Sequence, residues 1–92
     1  MENTFWNDFS IADVFGLDAI QDTFDRAFNE WKGDYKMLTE LVMVLNHKIW
    51  QHNETCHTAY MNLYYDLWEK ADNYALDHLK GRELSYFLEV IN

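Results

Sequence analysis

Four side chains able to bind a metal crowd one short stretch: His47, His52, Cys56 and His57 fall within eleven residues. Zinc takes imidazole nitrogen and thiolate sulfur, normally from four such groups in a tetrahedron. His52 and Cys56 are four apart and share a face if one helix runs through both. His47 and His52 are five apart, which sets them about 140° round a helix. Zinc sites that can be read from sequence show two short-spaced pairs well separated, and here there is one cluster. His52, Cys56 and His57 remain the metal candidates, beside the plainer reading that they are polar residues near a helix junction.

The same stretch spells Glu54-Thr55-Cys56-His57, a Glu-x-x-His sequence. Carboxylate-bridged di-iron bundles use two such motifs plus further glutamates, all projecting inward from helices. A homodimer would supply two copies, with the extra acid coming from Glu30, Glu40 or Asp25. However, Asn53, Glu54 and Thr55 predict a helix break, because Asn and Thr favour turns and caps. Ligands at a break do not point into a bundle core.

A third pattern is acidic. Asp18, Asp22 and Asp25 recur at helical spacing, with Asp8 and Asp13 upstream. Carboxylates about 5–10 Å apart along a helix can imitate the phosphates of DNA and occupy a basic groove. The alternative is an ordinary solvated helix face. A second row, Asp66, Glu69 and Asp77, is interrupted by Lys70 and Lys80.

A fourth is a surplus of aromatic and apolar side chains off the helical core faces: Trp50, Met61, Tyr65 and Tyr86, with Phe5 and Trp6 unassigned. Exposed aromatic patches on small domains mark partner or dimer surfaces. They also close the ends of small cores. The partner-binding candidates are thus Asp13, Asp18, Asp22, Asp25, Trp6, Trp50 and Tyr65.

Nothing arranges a nucleophile. Ser10 reads as a helix cap, Ser85 has no base beside it, and no acid is placed to orient a histidine at Cys56. There is no glycine-rich phosphate loop. The expectation is a protein that is not an enzyme and needs no cofactor.

These groups must be positioned by helices. Tyr35 to His52 contains the most apolar run of the chain, and Leu38, Leu41, Val42, Leu45 and Ile49 share one face. Met37, Met43 and Val44 add apolar surface elsewhere, so this helix must be covered on more than one side. Asp34 is its predicted cap. Upstream, Ser10 predicts the cap of a short helix over Ile11 to Phe15, with Asp13 at the third position. Asp18 predicts the cap of a helix reaching Lys32, whose apolar face is Ile20, Phe24, Ala27, Phe28 and Trp31. Downstream, Cys56 to Lys80 forms a face of Tyr60, Leu63, Tyr64, Leu67, Trp68, Ala71, Tyr74, Ala75 and Leu79. Asp66 and Lys70 are spaced to pair on this helix. Leu84, Phe87, Leu88 and Ile91 suggest a last helix, although Tyr86 to Ile91 also suits a strand. There is no proline, and Gly16, Gly33 and Gly81 each follow a helical segment. The predicted fold is a single all-α domain over 1–92: a small bundle of three main helices with short terminal helices.

The formal charge is −9, with −6 in residues 1–31, zero in 32–65 and −3 in 66–92. That balance argues against direct nucleic-acid binding and against docking on anionic membranes. It suits a basic protein partner. A single cysteine allows no intrachain disulfide, which fits a reducing compartment. The first residues lack a basic segment followed by an apolar run, and no stretch approaches membrane-spanning length. These features predict a cytoplasmic protein.

From the central helix onward, the chain resembles a known group. Glu40-Leu41-Val42-Met43-Val44-Leu45-Asn46-His47-Lys48-Ile49-Trp50, Leu67-Trp68-Glu69-Lys70-Ala71-Asp72 and Leu79-Lys80-Gly81-Arg82-Glu83-Leu84-Ser85-Tyr86-Phe87 carry the likeness. They are similar to short helical proteins, without assigned activity, of conjugative and phage-like elements of gut bacteria. The likeness covers about 34–88 and omits the acidic N-terminal third. It implies an accessory role in a mobile genetic element, including inhibition of host defence, and carries over no functional residue. The expected function is therefore a non-enzymatic module that presents an acidic face to a basic protein. The alternative is a homo-oligomeric bundle with a metal at the corner of His52, Cys56 and His57.

Overall fold

Phe5, Phe9 and Ala12, at i, i+4 and i+7, bury one face of the first helix, α1 (Phe5–Phe15). The helix therefore starts well before Ser10. Ser10 lies inside it and donates to the Trp6 carbonyl at 2.8 Å instead of capping. The computed structural model describes residues 4–92, and the remaining elements are α2 (Leu17–Trp31), α3 (Tyr35–Glu54), α4 (Thr58–His78) and α5 (Gly81–Ile91). The described residues are all-helical, with no strand among them. The terminal helices are as long as three turns, 11 residues each, so they are fuller than the short terminal helices expected.

The connections explain the other departures. Gly16 alone joins α1 to α2, with φ at 115°. Only glycine enters that region without strain, and it caps α2 in place of Asp18, which sits in the first turn. Asp34 does cap α3: its Oδ1 accepts from the amides of Lys36 and Met37 at 3.0 and 3.2 Å.

The break between α3 and α4 is real but centres on 55–57. Cys56 takes φ 59°, and the His57 amide donates back to the His52 carbonyl at 2.9 Å. With Cys56 N–H donating to Asn53, this is a left-handed helix stop built on cysteine rather than glycine. Gly81 opens α5 instead of closing α4, which ends at His78. Residues 84–91 are helix because Leu84, Phe87, Leu88 and Ile91 lie at helical spacing and Phe87 is fully buried.

α3 is the hub: its backbone approaches all four other helices, and α4 is its main neighbour. Its buried row is Leu38, Leu41, Val42, Val44 and Leu45, closed by Ile20, Phe24 and Phe28 of α2 and by Tyr64, Leu67, Ala71 and Ala75 of α4. Among the described residues, no helix is long and apolar enough to cross a membrane.

Candidate functional site

Two unusual regions flank α1. The first is a polar cluster where α1, α3 and α4 meet. Continuing the α3 seam past Leu45 brings Lys48 and then His52 onto the buried face, and both side chains are enclosed. Asp13 of α1 faces them. Its Oδ2 accepts from Lys48 Nζ at 2.8 Å, and its Oδ1 accepts a short hydrogen bond from the Tyr64 hydroxyl. Lys48 Nζ also lies 3.4 Å from Ser10 Oγ.

His52 stacks on the Tyr64 ring, with 5.4 Å between centroids and 11° between planes. Its Nε2 is 3.4 Å from Asp13 Oδ2, but neither ring nitrogen makes a hydrogen bond. The misaligned contact counts as charge proximity only. Burial, then the hydrogen bond to Asp13 and its charge, push the Tyr64 hydroxyl well above the ordinary tyrosine value. Tyr64 therefore stays a neutral donor to the Asp13 carboxylate, which also meets Lys48.

The second region is aromatic and open. Trp6 from α1, His47 and Trp50 from α3, Trp68 from α4 and Val90 from α5 line one groove of about 630 Å³. The Trp6 and His47 rings meet edge to face at 5.1 Å, and His47 lies 6.1 Å from Trp50. Trp6 Nε1 donates to Glu40 Oε1 at 3.1 Å, which fixes the indole against α3. Tyr65 extends the surface, its ring 5.7 Å from that of Trp68. Trp6 is 40% exposed, Trp50 60% and Tyr65 50%. Asp72, one helical turn beyond Trp68, is half-buried, and burial raises its carboxyl above the usual range.

The sequence candidates divide accordingly. Trp6, Trp50 and Tyr65 come to one continuous surface through Trp68, which is half-buried and packs against the core as well. Asp18 and Asp22 are exposed on α2, while Asp25 is half-buried and accepts from Gln21 Nε2 at 3.0 Å. Asp13 is no part of that face; it points inward because Lys48 and Tyr64 hold it. The rest of the surplus closes the core: Phe5 is buried, Met61 is half-buried and Tyr86 packs edge to face on Tyr35. Lys70 lies over the rings of Phe24 and Phe28 instead of pairing with Asp66.

The metal candidates come together only in part: the His52 and His57 rings lie 5.8 Å apart. His52 is buried on α3, Cys56 is exposed at the left-handed turn and His57 is exposed beyond it. His52 and Cys56 share no helix face. Glu54 ends α3 and His57 precedes α4, so Glu54-Thr55-Cys56-His57 bends around the turn. Among the described residues, no group of three His, Cys, Asp or Glu side chains is arranged to hold a metal ion.

Lys48 is the site residue that the sequence reading missed. Leu38, Leu41, Leu45, Lys48 and His52 repeat at steps of three and four, which marks a cation on the apolar seam. Comparison with known proteins returned no match among family models, curated proteins or solved structures.

Proposed function

We propose that this chain is a non-enzymatic module that binds a basic protein, with the aromatic groove supplying affinity and the acidic surface steering approach. The observation that carries this reading is the convergence of Trp6, Trp50, Trp68 and Tyr65 from three helices on one open face. Trp and Tyr are the side chains that most often dominate protein interfaces. Three of these four are at least 40% exposed, so a partner gains by covering them.

The net charge of −9 selects the partner. Lysine or arginine side chains over the indole faces would add cation–π attraction. Asp18 and Asp22, exposed on α2, support long-range attraction of a basic surface. This is the arrangement an inhibitor of a nucleic-acid-binding protein would need. The resemblance read in the sequence of residues 34–88 would place this role in a conjugative or phage-like element, inside the cell.

The test compares three forms of the full chain as bait in host lysate at low and high salt. The wild type captures a basic partner. Trp6→Ala/Trp50→Ala loses it at both salt concentrations. Asp18→Lys/Asp22→Lys retains the partner at high salt but captures less at low salt, because steering is an electrostatic effect. Undiminished capture by the tryptophan variant would falsify the assignment of the groove.

A further inference from the structure

α1 and α2, joined through Gly16, leave a groove of about 470 Å³ between them. Phe5 and Ala12 of α1 and Thr23 of α2 are the buried members of its lining. Ile11 and Phe15 stand along the α1 edge, 51% and 77% exposed. Along the α2 edge, Asp22, Arg26 and Glu30 follow one another at single helical turns, and all three are exposed. Asp8 of α1 adds another carboxylate. The groove lies on the far side of α1 from the aromatic one, since Asp8, Ile11 and Phe15 share a face that Trp6 does not.

Two observations say what this groove takes. The first is Thr23, which is 9% exposed. Among the described residues its hydroxyl makes no hydrogen bond. Its oxygen is not sealed in, so it opens on the groove that the side chain lines. A hydroxyl so enclosed is costly until an incoming group bonds it. The second is charge. The lining holds three carboxylates, Asp8, Asp22 and Glu30, against the one guanidinium of Arg26. Among the described residues Asp22, Arg26 and Glu30 form no ion pair. An exposed apolar edge therefore runs beside a surplus of unpaired negative charge.

We propose that this groove holds a basic amphipathic helix of a partner protein, at a site separate from the aromatic groove. A second copy of the chain would set Asp22 and Glu30 against another acidic surface. A wholly apolar segment would take the same carboxylates out of water unpaired. A helix with one apolar row over Ile11 and Phe15, and lysine or arginine beside that row, does neither. The spacing suits it. Asp22, Arg26 and Glu30 recur about every 6 Å along α2, the rise of four helical residues, which is also the repeat of anchors on a docked helix. One basic side chain of that helix donates to the Thr23 hydroxyl.

The probe is a synthetic leucine–lysine peptide with a single apolar stripe at helical spacing, titrated into the full chain by calorimetry. Its control has the same composition in scrambled order. The striped peptide should bind at least about tenfold tighter than the control, and Phe15→Ser should remove about as much affinity. Phe15 is outside the core, so that variant keeps the wild-type circular dichroism. Thr23→Val preserves the shape of the lining and should weaken binding about threefold to tenfold, the loss of one hydrogen bond. Asp22→Asn/Glu30→Gln should weaken it more than Asp66→Asn/Asp77→Asn, which changes the net charge equally on α4. Equal binding of the striped and scrambled peptides overturns the proposal, as does equal weakening by the two charge pairs, because the peptide then reads net charge alone. Binding that survives Phe15→Ser and is lost in Trp50→Ala also overturns it, by putting the helix in the aromatic groove.

Discussion

Lys48 and Trp50 are two residues apart on α3 and occupy opposite surroundings: the lysine is 3% exposed and the tryptophan 60%. Ordinary surface chemistry would exchange them. A buried charge and an exposed large aromatic group are the two departures from hydrophobic sorting that carry information. The polar cluster around Lys48 uses charge to lock α1 onto α3 and α4. The groove around Trp50 leaves apolar area uncovered at the same junction. One region serves the fold, and the other is available to a partner.

The sharpest way to break this contrast is to remove Asp13. Asp13→Ala leaves the Lys48 ammonium enclosed, with the Ser10 hydroxyl at 3.4 Å as its remaining side-chain partner among the described residues. Breaking a buried ion pair from one side costs about 3–5 kcal/mol. That is a large part of the ~5–15 kcal/mol that a domain has in total. Urea denaturation measures it. Asp13→Ala/Lys48→Met should recover much of the loss, because the second change removes the stranded charge. A cost below about 1 kcal/mol for the single variant would show that α1 is held by its apolar face alone.

Tyr64 provides the next effect. Tyr64→Phe deletes a donor to Asp13 and should cost about 1–2 kcal/mol. It should also change the alkaline limb of stability. The folded chain keeps the Tyr64 proton above the ordinary tyrosine value, while the unfolded chain releases it near pH ~10. Below that pH the contribution is fully present. Above it the unfolded state binds fewer protons than the folded one, so stability falls by up to about 1.4 kcal/mol per pH unit. Denaturation midpoints measured across this range should fall more steeply for the wild type than for Tyr64→Phe. Parallel curves would mean that the hydroxyl is not held by the cluster.

Much of this architecture was legible before the structure, and the misses have particular causes. The faces of α2 and α4 followed from 3.6-residue spacing, because each buries a single stripe. α1 extends further back than its spacing predicts because Ser10, a residue type that favours N-caps, here bonds the Trp6 carbonyl inside the helix. The turn at 55–57 was misplaced by two residues, since Cys56 adopts a conformation usually reserved for glycine. Trp6, Trp50 and Tyr65 were recognisable as surplus, but their convergence depends on how α1 docks against α3. The Asp13–Lys48 pair joins residues 35 apart in the chain, and no local pattern encodes that distance. What could be read was the cation on the seam at Lys48, a sign that some carboxylate had to meet it.

The smallest expected stability effect sharpens the comparison from its other side. Trp50 lies mostly in solvent, and its ring contact is with His47 at 6.1 Å. Trp50→Ala should therefore shift stability by no more than about 0.5 kcal/mol, as exposed substitutions do. Trp6→Ala should cost more, near 1 kcal/mol, because it also loses the hydrogen bond to Glu40. Thermal melts of both variants beside the wild type give the values. If Trp50→Ala cost 2 kcal/mol or more, on the scale of a buried side chain, the groove would be part of what closes the core. Loss of partner binding in that variant would then report a damaged fold. A near-neutral melt is what makes Trp50 free to act on another molecule, as Lys48 two residues earlier is not.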